Sequence, residues 1–441
     1  MKLWPTGGLW RHPDFVKLWS AETVSQFGTQ FTQLALPLVA IDVLDVSAFQ
    51  VAALTTVEFL PFLLVSLPAG VWVDRLRRRP ILVAGDAARA LLIGSVPVAY
   101  WLDALSMPQL YVVGFLVGIA TVFFDVAYQS YLPSLVQREQ LIDGNAKLEI
   151  SRAAAQLGGP GLAGIVINAL RAPAALAFDA VSFIGSALFI FGIRKHETSA
   201  RPDGAPARRM REELREGLSY VLTHPFLKNI AACTALFNLF GNMGFAVLLV
   251  FARRDLHLSP LAIGLAFTLS NVGPLVAAFN ANRISSRLGV GRTIIAASIL
   301  GGPMFLLIPF APHGNAALAL IIPAFVFGGL ANVIYNVTQV SLRQAITPER
   351  IQGRMNAVMR FIVWGTIPLG SLIGGVLAST IGVKETLIVG GAGACLPFLP
   401  VLLSPVRAIR EMPEPVVDEA AAAFGTLVAD AAPVPAEHLG T

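Results

Sequence analysis

Long apolar runs separated by short polar turns set the pattern of this chain. Twelve stretches, at roughly 15–41, 49–73, 81–102, 108–132, 145–170, 172–193, 227–251, 261–281, 293–311, 316–342, 357–379 and 386–403, are nearly free of charge. Each is long enough to cross a hydrocarbon layer as a helix, which takes about 20 residues. The expectation is an all-α integral membrane protein with twelve transmembrane helices. The one long polar interruption, 194–226, falls mid-chain and divides the spans into two pseudo-symmetric six-helix bundles, 1–193 and 227–404. Within this linker, 208–222 alternate Arg and Glu around Leu214, Leu218 and Val221 at helical spacing. A short surface helix fits that spacing, and a flexible tether is the alternative. Residues 405–441 turn rich in Ala, Pro and Glu and are expected to form a disordered cytoplasmic tail. The first apolar run lacks the short core and small-residue cleavage site of a removable signal peptide, so the N-terminus is expected to be retained.

The two halves echo each other. The basic turn Gly70-Val71-Trp72-Val73-Asp74-Arg75-Leu76-Arg77-Arg78-Arg79-Pro80 returns in weaker form at Ser285-Ser286-Arg287-Leu288-Gly289-Val290-Gly291-Arg292, about 212 residues later. At nearly the same offset, Asn145-Ala146 maps to Asn356-Ala357, Gly159 to Gly370 and Gly164 to Gly375. Polar residues inside the spans follow suit: Gln26 and Gln30 map to Asn238 and Asn242, and Thr121 and Asp125 to Asn332 and Asn336. Each set is an i, i+4 pair on one helix face. A polar stripe facing lipid is costly, so the stripes of spans one, four, seven and ten are expected to meet around a water-accessible cavity. The alternative is that they join helices by hydrogen bonds. A duplicated membrane bundle with a central polar site is the plan of carriers that rock around that site.

Composition agrees with the membrane assignment: 55% of residues are hydrophobic and 13% charged, more apolar surface than one water-soluble core hides. Of the 32 Lys and Arg residues, the turns on one side hold only Arg171, Arg253, Arg254 and Lys384, and Arg89 lies inside the third span. The rest fall on the opposite side, which the positive-inside rule makes cytoplasmic, with both termini there. The turn carrying Arg253 and Arg254 is the exception to the bias. A net charge of +5 is then accounted for by topology and anionic lipid, with no nucleic-acid partner.

Gly70 to Arg79 resembles the loop signature between spans two and three of the major facilitator superfamily, in the form used by its macrolide and siderophore efflux branch. That branch is also similar at Phe15-Val16-Lys17-Leu18-Trp19, at Phe123-Phe124-Asp125 with Leu132-Pro133-Ser134-Leu135-Val136, at 178–183 and at Arg354-Met355-Asn356-Ala357. The likeness covers roughly 11–405. It implies the major facilitator fold and a secondary transporter in the cell membrane that exports a drug, macrolide-like compound or siderophore, functioning as a monomer among membrane lipids. Where relatives often carry Pro and Arg in span four, this chain has Val126 and Tyr128. If that arginine is the usual partner of the loop aspartate, Asp74 must pair elsewhere, with Arg152 or Arg343 as options. Gly158 to Gly164, with Gly159, Pro160 and Gly164, resembles the superfamily's antiporter motif.

The residues support these roles independently. Asp74 can cap a helix or hold an arginine across the seam between halves, a latch formed with Gly70, Arg75, Arg78 and Arg79; binding of lipid phosphates is the competing role for the arginines. Glycines three or four apart allow close helix approach, and Pro160 lacks a backbone donor. Four membrane carboxylates, Glu58, Asp86, Asp125 and Asp179, need solvation, pairing or protonation. Asp86 has Arg89 one helical turn away, which fits a structural ion pair. Glu58, nearest the midplane, and Asp125, on the cavity stripe, are the candidates for proton coupling, against a hydrogen-bonded structural role.

Rival classes fare less well. The six histidines all fall outside the spans, and Cys233 and Cys395 lack metal-type spacing, so neither catalysis, a metal site nor a cofactor is expected. No phosphate loop for ATP occurs in the chain. A polytopic sensor that binds a ligand without transporting it is the remaining alternative.

Overall fold

The computed structural model describes residues 8–137, 140–195 and 210–413; within these, the side chains of Leu67, Val71, Asp74, Arg75, Glu349, Arg350 and residues 210–214 are not described. All regular structure among the described residues is helical. The helices are α1 (Pro13–Leu38), α2 (Ala48–Leu64), α3 (Ser66–Arg75), α4 (Arg78–Trp101), α5 (Met107–Leu135), α6 (Leu141–Leu170), α7 (Ala172–Phe191) and α8 (Met210–Thr223). There follow α9 (Leu227–Val250), α10 (Pro260–Ser270), α11 (Val272–Leu288), α12 (Val290–Leu307), α13 (Leu318–Ala345), α14 (Glu349–Thr380), α15 (Val383–Ala394) and α16 (Phe398–Leu402). Taken with their short continuations, ten helical stretches among the described residues are long and apolar enough to cross a membrane. The run at 49–73 contributes none of the ten, only the shorter apolar helix α2. In α1, Glu22, Gln26 and Gln30 interrupt the apolar pattern.

Of the runs expected to be continuous, two are broken for the same reason. Helix α2 ends at Leu64, four residues before Pro68, and α10 ends at Ser270, four before Pro274. A proline ring clashes with the carbonyl four residues earlier and supplies no donor to it, so the helix breaks there. The helix starts are capped as the sequence dictates. The Ser47 side chain accepts from the Gln50 backbone while Gln50 reaches back, a capping box. Ser259, 212 residues on, accepts from the Ala262 N–H with Pro260 at the first helical position.

The same repeat appears in the turns before these caps. Both α1 and α9 end in a π-helical segment, Val39–Val43 and Phe251–Asp255. The left-handed residues Asp45 (φ 47°) and His257 (φ 55°) follow at matching positions. The backbone bonds Val46 N–H to Ala40 O and Leu258 N–H to Ala252 O are likewise equivalent.

Helices α1, α4, α5, α6 and α7 pack on one another, with α2 against α5. A second group forms from α9, α11, α12, α13, α14 and α15. The groups meet through α2 against α14 and α6 against α10. Their apolar cores show how. One cluster joins both groups at the end formed by the α1–α2 and α9–α10 connections, bringing Leu36, Leu38, Val51 and Ile167 together with Val247, Phe251 and Ile263. At the other end there are two clusters. One, around Phe15, Leu18, Tyr131 and Leu148, belongs to the first group; the other, around Leu227, Tyr335, Met355 and Val406, belongs to the second.

In lipid there is no hydrophobic gain from joining two apolar helices, so close contact depends on small residues. The α6–α10 crossing meets that requirement. A Cβ on Gly164 would lie 2.7 Å from the Pro260 carbonyl oxygen and 3.0 Å from Gly264 Cα. The Gly161 N–H donates to Thr268 Oγ1 at 2.9 Å, and Asn271 Nδ2 to the Gln156 carbonyl at 2.8 Å.

The linker and tail refine the expectations. Helix α8 is formed, and Glu216 pairs with Arg354 of α14 at 2.6 Å, so this part of the linker is docked rather than a loose tether. Residues 405–413, expected to belong to a disordered tail, are ordered and packed. Val406 is fully buried, and the Ile409 and Arg410 carbonyls accept from the Gly291 and Val290 N–H groups at 2.9 and 3.1 Å. Residues 414–441 lie outside the described residues.

The glycine crossing yields a direct test. Gly164→Leu forces α6 from α10 and should lower stability by about 1–3 kcal/mol, the usual penalty of overpacking. Thermal unfolding of the purified protein in detergent reads this out, and an unchanged midpoint would show that the helices do not meet there.

Candidate functional site

Helix α5 places Thr121, Asp125 and Gln129 at successive turns, and Asp125 and Gln129 are exposed. Tyr128 stacks on Phe124 at 6.1 Å behind them. Around this face, at the end where the cores are separate, a cavity of about 470 Å³ is lined by Glu22 of α1, Tyr128 and Gln129 of α5, and Asn145, Glu149 and Arg152 of α6. Gln26 donates to the Glu22 carboxylate at 2.7 Å. Glu22 was not among the residues singled out from sequence. The signal was available: it lies four residues before Gln26 on the same polar stripe.

The other stripe residues divide. Gln30 is buried against Gly159, whose missing Cβ leaves the room its side chain fills. Here it packs α1 against α6 rather than lining the cavity beside Glu22. Asn238 and Asn242 donate to the carbonyls of Thr234 and Asn238 within α9, and Asn242 Cβ packs at Gly370 of α14. Asn336 donates to the Asn332 side chain at 2.9 Å, and Asn336 is exposed whereas Asn332 lies in a small pocket with Cys233 and Tyr335.

The carboxylates also separate by environment. Asp86 and Arg89 form a buried ion pair at 2.5 Å, with the guanidinium between the rings of Phe124 and Phe183 at 4.1 and 4.4 Å. Asp179 accepts from Thr32 and, at 3.0 Å, from Ser182, tying α7 to α1. Glu58 lies against Gly114 of α5, one turn before Phe62, which stacks on Trp364 of α14 at 4.5 Å. Glu58 has no hydrogen-bond partner among the described residues.

In the basic turn, Asp74 and Arg75 lie outside the described side chains, as does any pairing of Asp74 with Arg152 or Arg343. Gly70 has open space where a Cβ would stand, so no close contact requires glycine there. Arg79 donates to the Ile190 carbonyl at 3.3 Å and to that of Phe191, closing the end of α7. Cations satisfy the free carbonyls at a helix C-terminus in this way. Gly159, Pro160 and Gly164 sit at the packing surfaces of α6 against α1 and α10.

The exception in the charge bias also finds its place. Arg253 Nε donates to both oxygens of Asp42 at 3.0 and 3.1 Å, and Arg254 pairs with Asp45 at 2.7 Å and with the Val46 carbonyl at 2.9 Å. Two arginines of the second group thus hold two aspartates of the first, beside the shared apolar core.

A helical membrane protein whose two groups of helices share an apolar core at one end, have separate cores at the other, and carry a polar cavity in the first group there has the build of a polytopic membrane transporter. The comparisons with known proteins agree. The multidrug efflux pump Tap of Mycolicibacterium fortuitum is 27% identical over 389 residues, 86% of this chain and 92% of that protein. The MFS-type transporter YkuC of Bacillus subtilis (strain 168) is 28% identical over 288 residues, 61% of this chain and 66% of its own length. The fold is similar to that of a bacterial homologue of the iron transporter ferroportin in an inward-facing state, with a TM-score of 0.74 at 19% identity, over 90% of this chain and 99% of that one. The chain belongs to the major facilitator superfamily, in the family described as transmembrane secretion effector, whose model matches residues 8–424.

The ion pair inside the first group is the most exposed to a single change. Asp86→Asn leaves Arg89 buried without its counter-charge, which costs about 3–5 kcal/mol in such pairs. The expected result is a lower unfolding temperature, partly restored by Arg89→Met in the same chain; an unaltered midpoint in the single variant would contradict the pairing.

Proposed function

We propose that this protein is a secondary active exporter of the cell membrane that moves a small, partly apolar molecule by alternating access. In this reading twelve spans form two six-helix bundles, with α2–α3, α10–α11 and α15–α16 each making one broken span. The bundles are residues 1–193 and 227–404, linked by 194–226. Both termini are cytoplasmic, as the distribution of Lys and Arg favours. The Tap relative supports export of drug-like molecules, and the motifs resembling the macrolide and siderophore branch support the same direction.

The observation that carries the proposal is the asymmetry of the apolar core: one cluster shared by both groups at the outer end, two separate clusters at the inner end. Such packing fits the inward-facing member of a two-state pair, with the glycine crossing of α6 and α10 as the point about which the bundles rock. Arg253–Asp42 and Arg254–Asp45 then act as an outer latch. Both pairs touch solvent, Asp45 being 90% exposed in its side chain, so each contributes about 0–1 kcal/mol. A latch of that strength biases the equilibrium without locking it. Protons are the coupling ion in this account, with Glu58 and Asp125 as the carboxylates that exchange them, and Gly70, Asp74, Arg75, Arg78 and Arg79 form the inner counterpart of the latch.

Reconstitution into liposomes with an imposed pH gradient tests the account. Wild-type protein should concentrate substrate, whereas Glu58→Gln or Asp125→Asn should abolish uphill movement in at least one case while leaving downhill exchange. Arg253→Asp should slow transport by a few-fold and Asp42→Arg in the same chain should restore it. Uphill transport in both amide variants would remove the two carboxylates from coupling, and a charge swap without rescue would remove the latch.

A further inference from the structure

Helix α8 turns two unlike faces to its surroundings. One face is held by protein: Val221 is fully buried with Leu227, Met355 and Val406, and a Cβ on Gly217 would lie 2.9 Å from the Arg354 carbonyl oxygen of α14. Glu216 pairs with the Arg354 side chain, and the Tyr220 hydroxyl donates to the Ile346 carbonyl at 3.4 Å. The other face is open among the described residues. Leu218 and Leu222 are 44% and 55% exposed, and Arg215 is exposed one turn before Leu218. Their spacing, i, i+3 and i+7, lays the arginine and the two leucines in one strip along the helix. The sequence has Arg208, Arg209 and Arg211 just before this strip, against Glu212 and Glu213.

The neighbours of α8 set its depth. Arg354, against which Gly217 packs, stands three residues before the apolar run at 357–379, and α8 ends at Thr223, four residues before α9 begins at Leu227. The strip therefore lies at the level where α9 and α14 enter the bilayer. A helix at that level with leucines and an arginine on one strip is built for the interface: the leucines enter the acyl boundary and the guanidinium reaches the phosphates. Arg215 makes no ion pair among the described residues. Beyond it the surface opens into a groove of about 490 Å³, lined by Arg215, Glu216, Ser219, Tyr220, Thr223 and Ile351. Glu216 is engaged with Arg354, so the groove offers one uncommitted cation and three hydroxyls, beside an apolar strip.

We propose that this face of α8 docks on the bilayer surface and binds an anionic phospholipid there. Arg215 holds the lipid phosphate, the groove takes the headgroup among the hydroxyls of Ser219, Tyr220 and Thr223, and Leu218 and Leu222 lie against the acyl chains. The interaction does not depend on which solute is carried or in which direction. Its consequence is mechanical: Gly217 and Glu216 fasten α8 to Arg354, and α14 packs against α2 of the first group, so a lipid held by α8 also holds this end of α14. The second part of the linker is thereby tied to the membrane as well as to the second group.

The test uses the full chain without Cys233 and Cys395, carrying a nitroxide on a single cysteine introduced at Leu218, Leu222 or Thr223, in nanodiscs of phosphatidylglycerol or of phosphatidylcholine. Power saturation compares collisions with oxygen, which concentrates in lipid, and with a water-soluble nickel chelate. In phosphatidylglycerol the labels at 218 and 222 should favour oxygen, and the label at 223, on the groove side, should favour the chelate. In phosphatidylcholine, or at raised salt, the ratio of oxygen to chelate collisions at 218 and 222 should fall a few-fold. Arg215→Glu should produce the same fall in phosphatidylglycerol, and Arg215→Gln a smaller one. The comparison of lipids on the otherwise unchanged chain keeps the test decisive should either variant fail to fold. A chelate preference at 218 and 222 in phosphatidylglycerol would place the strip in water, and exclusion of both reagents would place it under protein. An oxygen preference equal in the two lipids would mean apolar contact without recognition of the anionic headgroup. Any of these three results would overturn the proposal.

Discussion

Two bodies of membrane helices gain little by touching, because lipid is as apolar as their side chains. The contact between the two halves therefore depends on places where backbones can come unusually close. The crossing of α6 and α10 at Gly164 and Gly264 is such a place, reinforced by the Gly161 N–H bonded to Thr268 and by Asn271 bonded to the Gln156 carbonyl. The Arg–Asp pairs and the shared apolar cluster close one end, and at the other end the two cores are separate.

Charge within the first half is distributed by the same economy of partners. Asp86 and Arg89 neutralise each other, Asp179 is held by hydroxyls, and Arg79 ends α7. Of the acids without a counter-charge among the described residues, Glu22 and Asp125 stand near a phenol with no hydrogen-bond partner, and Glu58 stands apart against Gly114. A polar group in a membrane bundle that is neither paired nor exposed to lipid marks a pathway or a ligand site. The structural and functional carboxylates are thus separated by what surrounds each one, and all of them look alike in a list of membrane acids.

Much of this was legible before any coordinates. The long charge-free runs locate the helices, the mid-chain polar stretch contains α8, and the pairing of Asp86 with Arg89 follows from their spacing. The breaks at Leu64 and Ser270 were not read, because Pro68 and Pro274 sit in runs whose apolar character masks their effect on the turn before. Gln30 was placed on a cavity stripe by its spacing from Gln26, yet the groove left by Gly159 draws it into helix packing. Glu22 escaped notice because ranking acids by depth ignores which helices stand opposite. Arg253 and Arg254 stood out as an unexplained breach of the charge bias; their partners Asp42 and Asp45 are more than 200 residues away, and only tertiary structure joins them.

The central claim is that two bundles rock about the α6–α10 crossing, so that the outer end opens as the inner end closes. Spin labels at Ser106 and Asn315 report the outer turns, and labels at Gln137 and Ser286 report the inner ones, on a chain lacking Cys233 and Cys395. Pulsed dipolar distances in nanodiscs, recorded across pH, should show the outer pair lengthening in the populations where the inner pair shortens. Distances that stay fixed at both ends, in protein that still carries substrate across a membrane, would contradict the account.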